Sequence, residues 1–74
     1  MINDVIKQHH KALDKLRQIQ EIEKEIIVSS EWLDKKENPF YDTYKREQKQ
    51  AIKDNSKKIE VLFTEHAQII KELN

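Results

Sequence analysis

The sequence predicts an all-α protein that folds as an antiparallel, coiled-coil-like two-helix hairpin, for three reasons. It contains no glycine and much Lys, Glu, Ile, Leu and Gln, a composition typical of nearly continuous helix. Apolar residues recur at helical spacing on both sides of the midpoint. The one proline, Pro39, stands between two such segments of nearly equal length. We therefore expect a single domain over residues 1–74, with helix 1 over about 3–36, a turn over about 37–39 and helix 2 over about 39–73.

The turn is predicted from Asn38 and Pro39. An Asn at an N-cap accepts a hydrogen bond from a free backbone N–H group, and proline at the first helical position lacks only a donor that has no partner there. Proline also disfavours the helical conformation of the residue before it, so helix 1 should end by about Glu37. Because no glycine can close that end, Lys35 and Lys36 are expected to interact with its last carbonyl groups.

Helix 1 is predicted from an apolar seven-residue repeat. The repeat comprises Val5, Ala12, Ile19, Ile26 and Leu33. A neighbouring seam position carries Ile2, His9 and Leu16. The same position then carries the polar residues Glu23 and Ser30, and residues 26–28 are β-branched with low helix propensity. Because the seven-residue spacing continues through this stretch, we expect helix throughout.

Helix 2 is predicted from seam residues that alternate steps of three and four. They are Tyr41, Tyr44, Gln48, Ile52, Asn55, Ile59, Leu62, His66, Ile69 and Leu73. Asp54, Asn55 and Ser56 form the one place where this helix would break, which would give a three-helix chain. Since the spacing keeps its phase across them, a continuous helix is the expectation.

The charge pattern indicates that the two helices pack antiparallel. Residues 1–18 carry four basic and two acidic side chains, and residues 19–38 carry three basic and six acidic ones. Residues 39–58 carry six basic and three acidic side chains, and residues 59–74 carry one basic and three acidic ones. The net charges are therefore +2, −3, +3 and −2, so antiparallel packing sets opposite charges side by side. Closure at the predicted turn pairs residues whose numbers sum to about 75, which places His66 near His9.

The apolar stripe is widest at the open end of the hairpin, over residues 2–16 and 59–73. One partner helix does not cover so wide a stripe. A hairpin of this size also has a thin core, and without cysteine no disulfide can reinforce it. We therefore expect a homodimer, built as a four-helix bundle, and the alternative is a monomer with an exposed apolar patch. The residues expected to mediate self-association are Ile6, Leu13, Phe63 and Ile70.

Four of the five aromatic residues gather around the turn, and they are Trp32, Phe40, Tyr41 and Tyr44. One interpretation is an aromatic plug that closes the tip of the hairpin. The other is a partner-binding surface, since exposed aromatic side chains anchor many protein interfaces. Both hold if Tyr41 and Tyr44 form the plug while Trp32 and Phe40 face outward.

The three histidines do not define a metal site. His9 and His66 are expected as facing seam histidines, and His10 forms an i,i+4 pair with Asp14. Two histidines and a carboxylate lack a fourth ligand for zinc, and there is no Glu-x-x-His pair of the kind found in di-iron bundles. We expect no metal and no cofactor.

A basic stripe runs along helix 2, and it comprises Lys45, Arg46, Lys49, Lys53, Lys57 and Lys58. Such a stripe can follow a phosphate backbone. However, the net charge of the chain is zero, and the facing segment of helix 1 is acidic at Glu21, Glu23 and Glu25. A solvated, self-complementary surface is therefore the favoured interpretation. A nucleic-acid-associated regulator that uses the stripe Lys45–Lys58 is the alternative.

Protein–protein interaction is the function that these features favour. A narrow hairpin has no cleft and no nucleophile–base set at usable spacing, so we expect no enzymatic activity. We expect a small adaptor, inhibitor or assembly factor that docks its tip or a helix face onto a larger protein, or alternatively a scaffold that only self-associates. No apolar run reaches the ~20 residues that span a bilayer, so we expect a cytoplasmic protein without membrane contact. Frequent lysine and isoleucine fit an AT-rich coding sequence, as in a low-GC bacterium or its phage.

Overall fold

The protein is a long antiparallel hairpin of two helices, which confirms the predicted all-α two-helix architecture. The computed structural model describes residues 2–73, in which α1 spans Ile2–Asp34 and α2 spans Tyr41–Leu73, with 33 residues each and no strand. The rod measures 59 × 14 × 12 Å. Its radius of gyration is 17.1 Å, whereas a compact chain of this length has about 11 Å. Neither helix, over the residues described, has an apolar stretch long enough to cross a bilayer.

The connection between the helices is a series of three backbone turns that share residues. The N–H of Lys35 donates to the carbonyl of Trp32 at 3.2 Å, and the N–H of Asn38 donates to the carbonyl of Lys35 at 3.1 Å. The N–H of Tyr41 then donates to the carbonyl of Asn38 at 3.0 Å. Each bond joins residues i and i+3, and none of residues 2–73 has a positive φ. The chain therefore reverses without the left-handed residue that a glycine C-cap supplies.

Asn38 acts as the N-cap that the sequence predicts. Its side-chain Oδ1 accepts a hydrogen bond from the N–H of Phe40 at 2.9 Å, with Pro39 between them. The regular helix nevertheless begins at Tyr41, two residues later than expected, because the bond from Tyr41 N–H to the Asn38 carbonyl is of the tighter 3₁₀ type. α1 likewise ends at Asp34, two residues before the expected end, because the shared turns begin at the Trp32 carbonyl.

The two stretches with the weakest sequence signal for helix are both helical. Residues 26–30 lie inside α1, and residues 54–56 lie inside α2. Across the second stretch, the Gln50 side-chain Nε2 donates to the Asp54 Oδ1 at 2.8 Å, one turn along the same helix. The three-helix alternative is therefore wrong.

The buried line of α1 is rotated relative to the predicted seam. Its seven-residue repeat is as predicted from Ala12 onward, with Ala12 and Ile19 buried and Ile26 and Leu33 half-buried, but its first predicted member, Val5, is 46% exposed. The second seam position, however, carries Gln8, Lys15, Ile22 and Ser29. His9, Leu16 and Glu23, which were expected there, are exposed. Because Ile22 rather than Glu23 turns toward α2, the hairpin avoids burying a carboxylate.

The core of the hairpin is thin. Among residues 2–73 the buried apolar residues are Ala12, Ile19 and Leu62, and no side chain in that range is less than 2% exposed. The accessible surface is 6131 Å², whereas a compact monomer of this mass exposes about 4,800 Å². The hairpin therefore leaves much apolar surface uncovered.

The polar contacts between the helices lie at the open end. Lys15 Nζ is 2.7 Å from Glu65 Oε2, and Gln8 Nε2 donates to Glu72 Oε2 at 3.2 Å. Both pairs join residues whose numbers sum to 80 rather than the expected 75, so the register is shifted by a few residues.

The tip half of the hairpin lacks such contacts. Within the described range 2–73, its ion pairs are Lys24 with Glu21 at 3.4 Å and Lys45 with Asp42 at 3.2 Å, and each lies within one helix. The acidic and basic blocks near the tip therefore do not neutralise each other through ion pairs inside one hairpin.

Candidate interaction surfaces

An exposed apolar surface covers one side of the rod at its open end, and we call it the apolar end face. It comprises Ile6, Leu13, Leu16, Phe63 and Ile70. Their exposed fractions range from 36% for Ile70 to 49% for Phe63. The structure thus places all four predicted self-association residues on the surface of the hairpin. Leu16, which was expected in the seam, joins them.

The five residues form one face across both helices. Leu13, Leu16 and Phe63 line a single shallow groove between α1 and α2. Ile6 lies seven residues before Leu13, and Ile70 lies seven residues after Phe63. Side chains seven residues apart on a helix point in nearly the same direction, so Ile6 and Ile70 extend the groove lengthwise.

The apolar end face is suited to bind another apolar surface. Full burial of a Leu, Ile or Phe side chain contributes about 1.5–3 kcal/mol, and these side chains are only partly covered in the hairpin. Monomeric proteins seldom expose extended apolar patches unless the patch is an interaction site. Arg17 and Glu23 line the same groove, so charged groups border the face on the side toward the tip.

At the tip, two aromatic rings form a plug between the helices. Trp32 and Tyr41 stack with ring centroids 5.6 Å apart and an interplanar angle of 9°, and both residues are half-buried. The Lys45 ammonium lies 5.9 Å from the centroid of the Tyr41 ring, a cation–π contact. This cluster joins the end of α1 to the start of α2.

The other two aromatic residues of the tip face solvent. Phe40 is 60% exposed and Tyr44 is 44% exposed, with ring centroids 6.4 Å apart and a tilt of 49°. The division therefore differs from the expected one, because Trp32 belongs to the plug and Tyr44 faces outward. The reason is helical phase: Lys45 rather than Tyr44 takes the half-buried position after Tyr41.

The basic stripe is mostly without acidic partners. Lys45 pairs with Asp42, whereas within residues 2–73 the other five side chains of the stripe have no carboxylate within 4.0 Å. Lys45, Arg46, Lys49, Gln50 and Lys53 line one shallow groove. Two of the acidic residues that were expected to face the stripe, Glu21 and Glu25, line a different groove with Ala51 and Asn55. The stripe is therefore available to an acidic partner.

The expected pair of seam histidines is not formed within one hairpin. His66 is half-buried, whereas His9 is exposed. Gln8 occupies the seam instead, and its hydrogen bond to Glu72 favours that orientation. Among residues 2–73, no three His or carboxylate side chains come together in a way that could hold a metal ion.

A further shallow groove lies on the opposite side of the rod and was not predicted from the sequence. Ile22, Val61 and Leu62 form its apolar part, and charged side chains including Lys57 and Glu65 surround them. Val61 is 58% exposed. Spacing carries no signal for this groove, because the positions three and four residues from Val61 are all polar: Lys57, Lys58, Thr64 and Glu65.

Comparisons of the chain with protein families, curated proteins and solved structures found no match. The apolar end face, the aromatic tip and the basic stripe are therefore the features from which we infer a function.

Proposed function

We propose that this chain is a small protein–protein interaction module that pairs with itself through the apolar end face and docks onto a larger protein through its tip. The observation that carries this proposal is the exposure of Ile6, Leu13, Phe63 and Ile70 on one face of the hairpin. Among residues 2–73 only three apolar residues are buried, whereas twelve large apolar residues are exposed. A surface of this kind supports a subunit interface.

Self-association supplies the two helices that the thin core lacks. Two hairpins placed face to face build a four-helix bundle in which the apolar end faces cover each other. Small helical domains without disulfides or metals commonly gain stability in this way. The homodimer is therefore part of the proposal.

The tip supplies the docking surface for a larger protein. Phe40 and Tyr44 project from the first turns of α2, and the stacked pair Trp32 and Tyr41 holds the ends of both helices beneath them. Aromatic side chains on a rigid support lose little conformational freedom on binding, which makes them effective anchors. We propose an adaptor, inhibitor or assembly factor without catalytic activity, acting in the cytoplasm.

Site-specific photocrosslinking tests the docking proposal. A photoreactive phenylalanine analogue at Phe40 should give a defined adduct with a larger protein in producing cells, and the same probe at the exposed Thr64 should not. An excess of wild-type chain should compete for the adduct, while a Phe40→Ala/Tyr44→Ala variant should not. Equal adducts from both probe positions, or equal competition by both chains, would contradict docking through the tip.

A nucleic-acid-associated regulator is the second candidate. It is favoured by the basic stripe, in which five of the six side chains make no ion pair within residues 2–73. Lys49 and Lys53 lie in the middle of the stripe and line its groove. This function predicts that a labelled oligonucleotide stays bound at about 150 mM salt and that Lys49→Glu/Lys53→Glu abolishes binding. Loss of all binding by wild type at that salt concentration would reject it. The Phe40→Ala/Tyr44→Ala variant serves as the control, because it leaves the stripe intact.

A further inference from the structure

The side of the rod that carries the apolar end face continues toward the tip with charged side chains and the exposed apolar residue Ile27, which lies fourteen residues after Leu13. Glu23 lies seven residues after Leu16 and lines the same groove as Phe63. On α2, Lys49 lies fourteen residues before Phe63. Residues separated by seven or fourteen positions share a helix face, so Glu23 and Lys49 flank the same side of the hairpin. Lys53 lies beside Lys49 in the basic groove.

Along this side, opposite charges stand at equal heights on the two helices. The Lys15–Glu65 pair shows that residues whose numbers sum to about 80 are level along the rod. Asp34 is then level with Arg46. Glu23 is level with Lys57 and lies one helical turn, about 6 Å, from the height of Lys53. Asp34 lies twenty-one residues after Leu13, three seven-residue steps, so it belongs to the same side of α1.

These charges do not neutralise each other within one hairpin. Within residues 2–73, Glu23, Asp34, Arg46 and Lys53 take part in no ion pair. The contacts that do cross between the helices come from the seam residues Gln8 and Lys15. A complementary surface would therefore place its own α2 against α1 of this copy, and its own α1 against α2, at the same heights along the rod. A second copy of this chain, related by a half-turn about an axis that runs between the two copies parallel to the rod, presents such a surface.

We propose that the second copy lies along the full length of this side with both turns at the same end. In this arrangement, which rests on the proposed self-association, α1 of each copy packs on α2 of the other. The apolar end faces meet at one end of the rod. Toward the tip, Glu23 pairs with Lys53 of the second copy and Asp34 pairs with Arg46 of the second copy. Each ion pair occurs twice because the interface has two-fold symmetry.

The area of the interface favours this arrangement over one in which only the open ends overlap. A long side of the rod measures 59 by 14 Å, so full-length pairing covers on the order of 800 Å² per copy, the size of a standard stable interface. If the turns lie at opposite ends and the apolar end faces still cover each other, the copies overlap over about fifteen residues and roughly 22 Å. That overlap covers on the order of 300 Å² per copy, well below a standard interface. It also leaves the charged surface of both copies uncovered.

The same-end arrangement brings two aromatic tips together. Each copy contributes the exposed pair Phe40 and Tyr44. The docking surface for a larger protein is then a double one, with four exposed aromatic rings at one end of the bundle. Two linked copies of a binding site bind a two-fold partner more tightly than either does alone.

A distance measurement between the two tips tests the arrangement. The chain has no cysteine, so Lys36→Cys in the exposed turn gives one spin-label site per copy. Neighbouring helices in a bundle lie about 10 Å apart, so the same-end arrangement predicts a label separation within about 30 Å. The opposite-end arrangement places these labels about 75 Å apart, since each lies some 25 residues from the centre of the overlap. The control label, His10→Cys at the open end, should give a short distance in both arrangements.

The outcomes separate this inference from the proposed function. A dimer by light scattering with a short Lys36→Cys distance supports both proposals. A dimer whose Lys36→Cys labels lie well beyond about 30 Å apart overturns the same-end arrangement and leaves self-association standing. A monomer overturns both.

A charge swap tests the predicted contact between Glu23 and Lys53. Either Glu23→Lys or Lys53→Glu alone should raise the dimer dissociation constant roughly fivefold, because each creates two like-charge contacts per dimer. The combined swap should return the constant to within about twofold of wild type. The control is Glu25→Lys, which lies in the groove on the other side of α1 and should leave the constant unchanged. If the combined swap weakened the dimer as much as the two single changes together, Glu23 and Lys53 would not be in contact across the interface.

Discussion

The indole ring of Trp32 lies nearly parallel to the phenol ring of Tyr41, with centroids 5.6 Å apart and an interplanar angle of 9°. This stack connects the end of α1 to the start of α2 across a turn that contains no glycine and no positive φ. Tyr41 directly follows Phe40 and lies within one turn of Tyr44, so the stack fixes the start of the helix that carries the exposed pair. The geometry of the docking surface therefore depends on it.

Trp32→Ala should destabilise the hairpin by about 2 kcal/mol, since it removes a stacked aromatic contact and half-buried apolar area. The measurement is urea unfolding followed by circular dichroism at a fixed chain concentration, because self-association makes stability depend on concentration. The control is Phe40→Ala, which removes a 60% exposed ring and should change stability by less than about 0.5 kcal/mol. Equal effects of the two substitutions would contradict the assignment of Trp32 to the plug.

The ion pair between Lys15 and Glu65 should stabilise the hairpin measurably. Its N–O distance is 2.7 Å, and the two side chains are 26% and 45% exposed. A double-mutant cycle with Lys15→Ala and Glu65→Ala should give a coupling energy of about 0.5–1 kcal/mol that falls as salt is added. The same cycle on Asp14 and Arg17, which lie 3.6 Å apart and more exposed within α1, should give less than about 0.3 kcal/mol. Equal coupling energies in the two cycles would show that the pair between Lys15 and Glu65 does not stabilise the packing of the two helices.

Ser29 marks a close approach of the two helices. It is 8% exposed, and it lines a groove with Ala51 of α2. Ser29→Leu should cost about 1–3 kcal/mol through overpacking, whereas Ser29→Ala should be neutral or slightly stabilising because alanine has the higher helix propensity. Thr64→Leu at an exposed position of α2 is the control, with an expected change below about 0.5 kcal/mol. A tolerated Ser29→Leu would show that the helices are not closely packed there.

The architecture could be predicted because its signals are local and redundant. The seven-residue repeat through Ala12 and Ile19 predicts the buried line of α1, and both residues are buried. Asn38 before Pro39 predicts the cap of α2, and the Asn38 side chain makes that hydrogen bond. Each of these signals depends on the chain within a few residues, so no knowledge of the tertiary contacts was needed.

The rotation of α1 and the register could not be predicted in the same way. His9 and Leu16 are as well spaced for the seam as Gln8 and Lys15, and composition alone favours Leu16. The choice is made by α2, because Glu72 and Glu65 accept hydrogen bonds from Gln8 and Lys15. Long-range partners of this kind leave no periodic signal in the sequence of one helix.

The prediction of which aromatic residues form the plug was partly wrong for a related reason. Tyr41 and Tyr44 both fit the three- and four-residue steps of α2, so the pattern assigned both to the plug. In the structure Trp32 fills the space against Tyr41, and Lys45 rather than Tyr44 occupies the next half-buried position. Which ring faces inward depends on the partner across the turn, which spacing does not reveal.

The most direct test of the account is the mass of the chain in solution by light scattering, across a range of concentrations. We predict a dimer of twice 8.9 kDa for wild type. Phe63→Glu/Ile70→Glu should give a helical monomer, because it places four carboxylates in the apolar interface of a dimer. Val61→Glu should remain dimeric, because Val61 lies about 200° around α2 from Phe63. A wild-type mass of 8.9 kDa at every concentration, or a dimer that the double substitution leaves intact, would contradict self-association through the apolar end face.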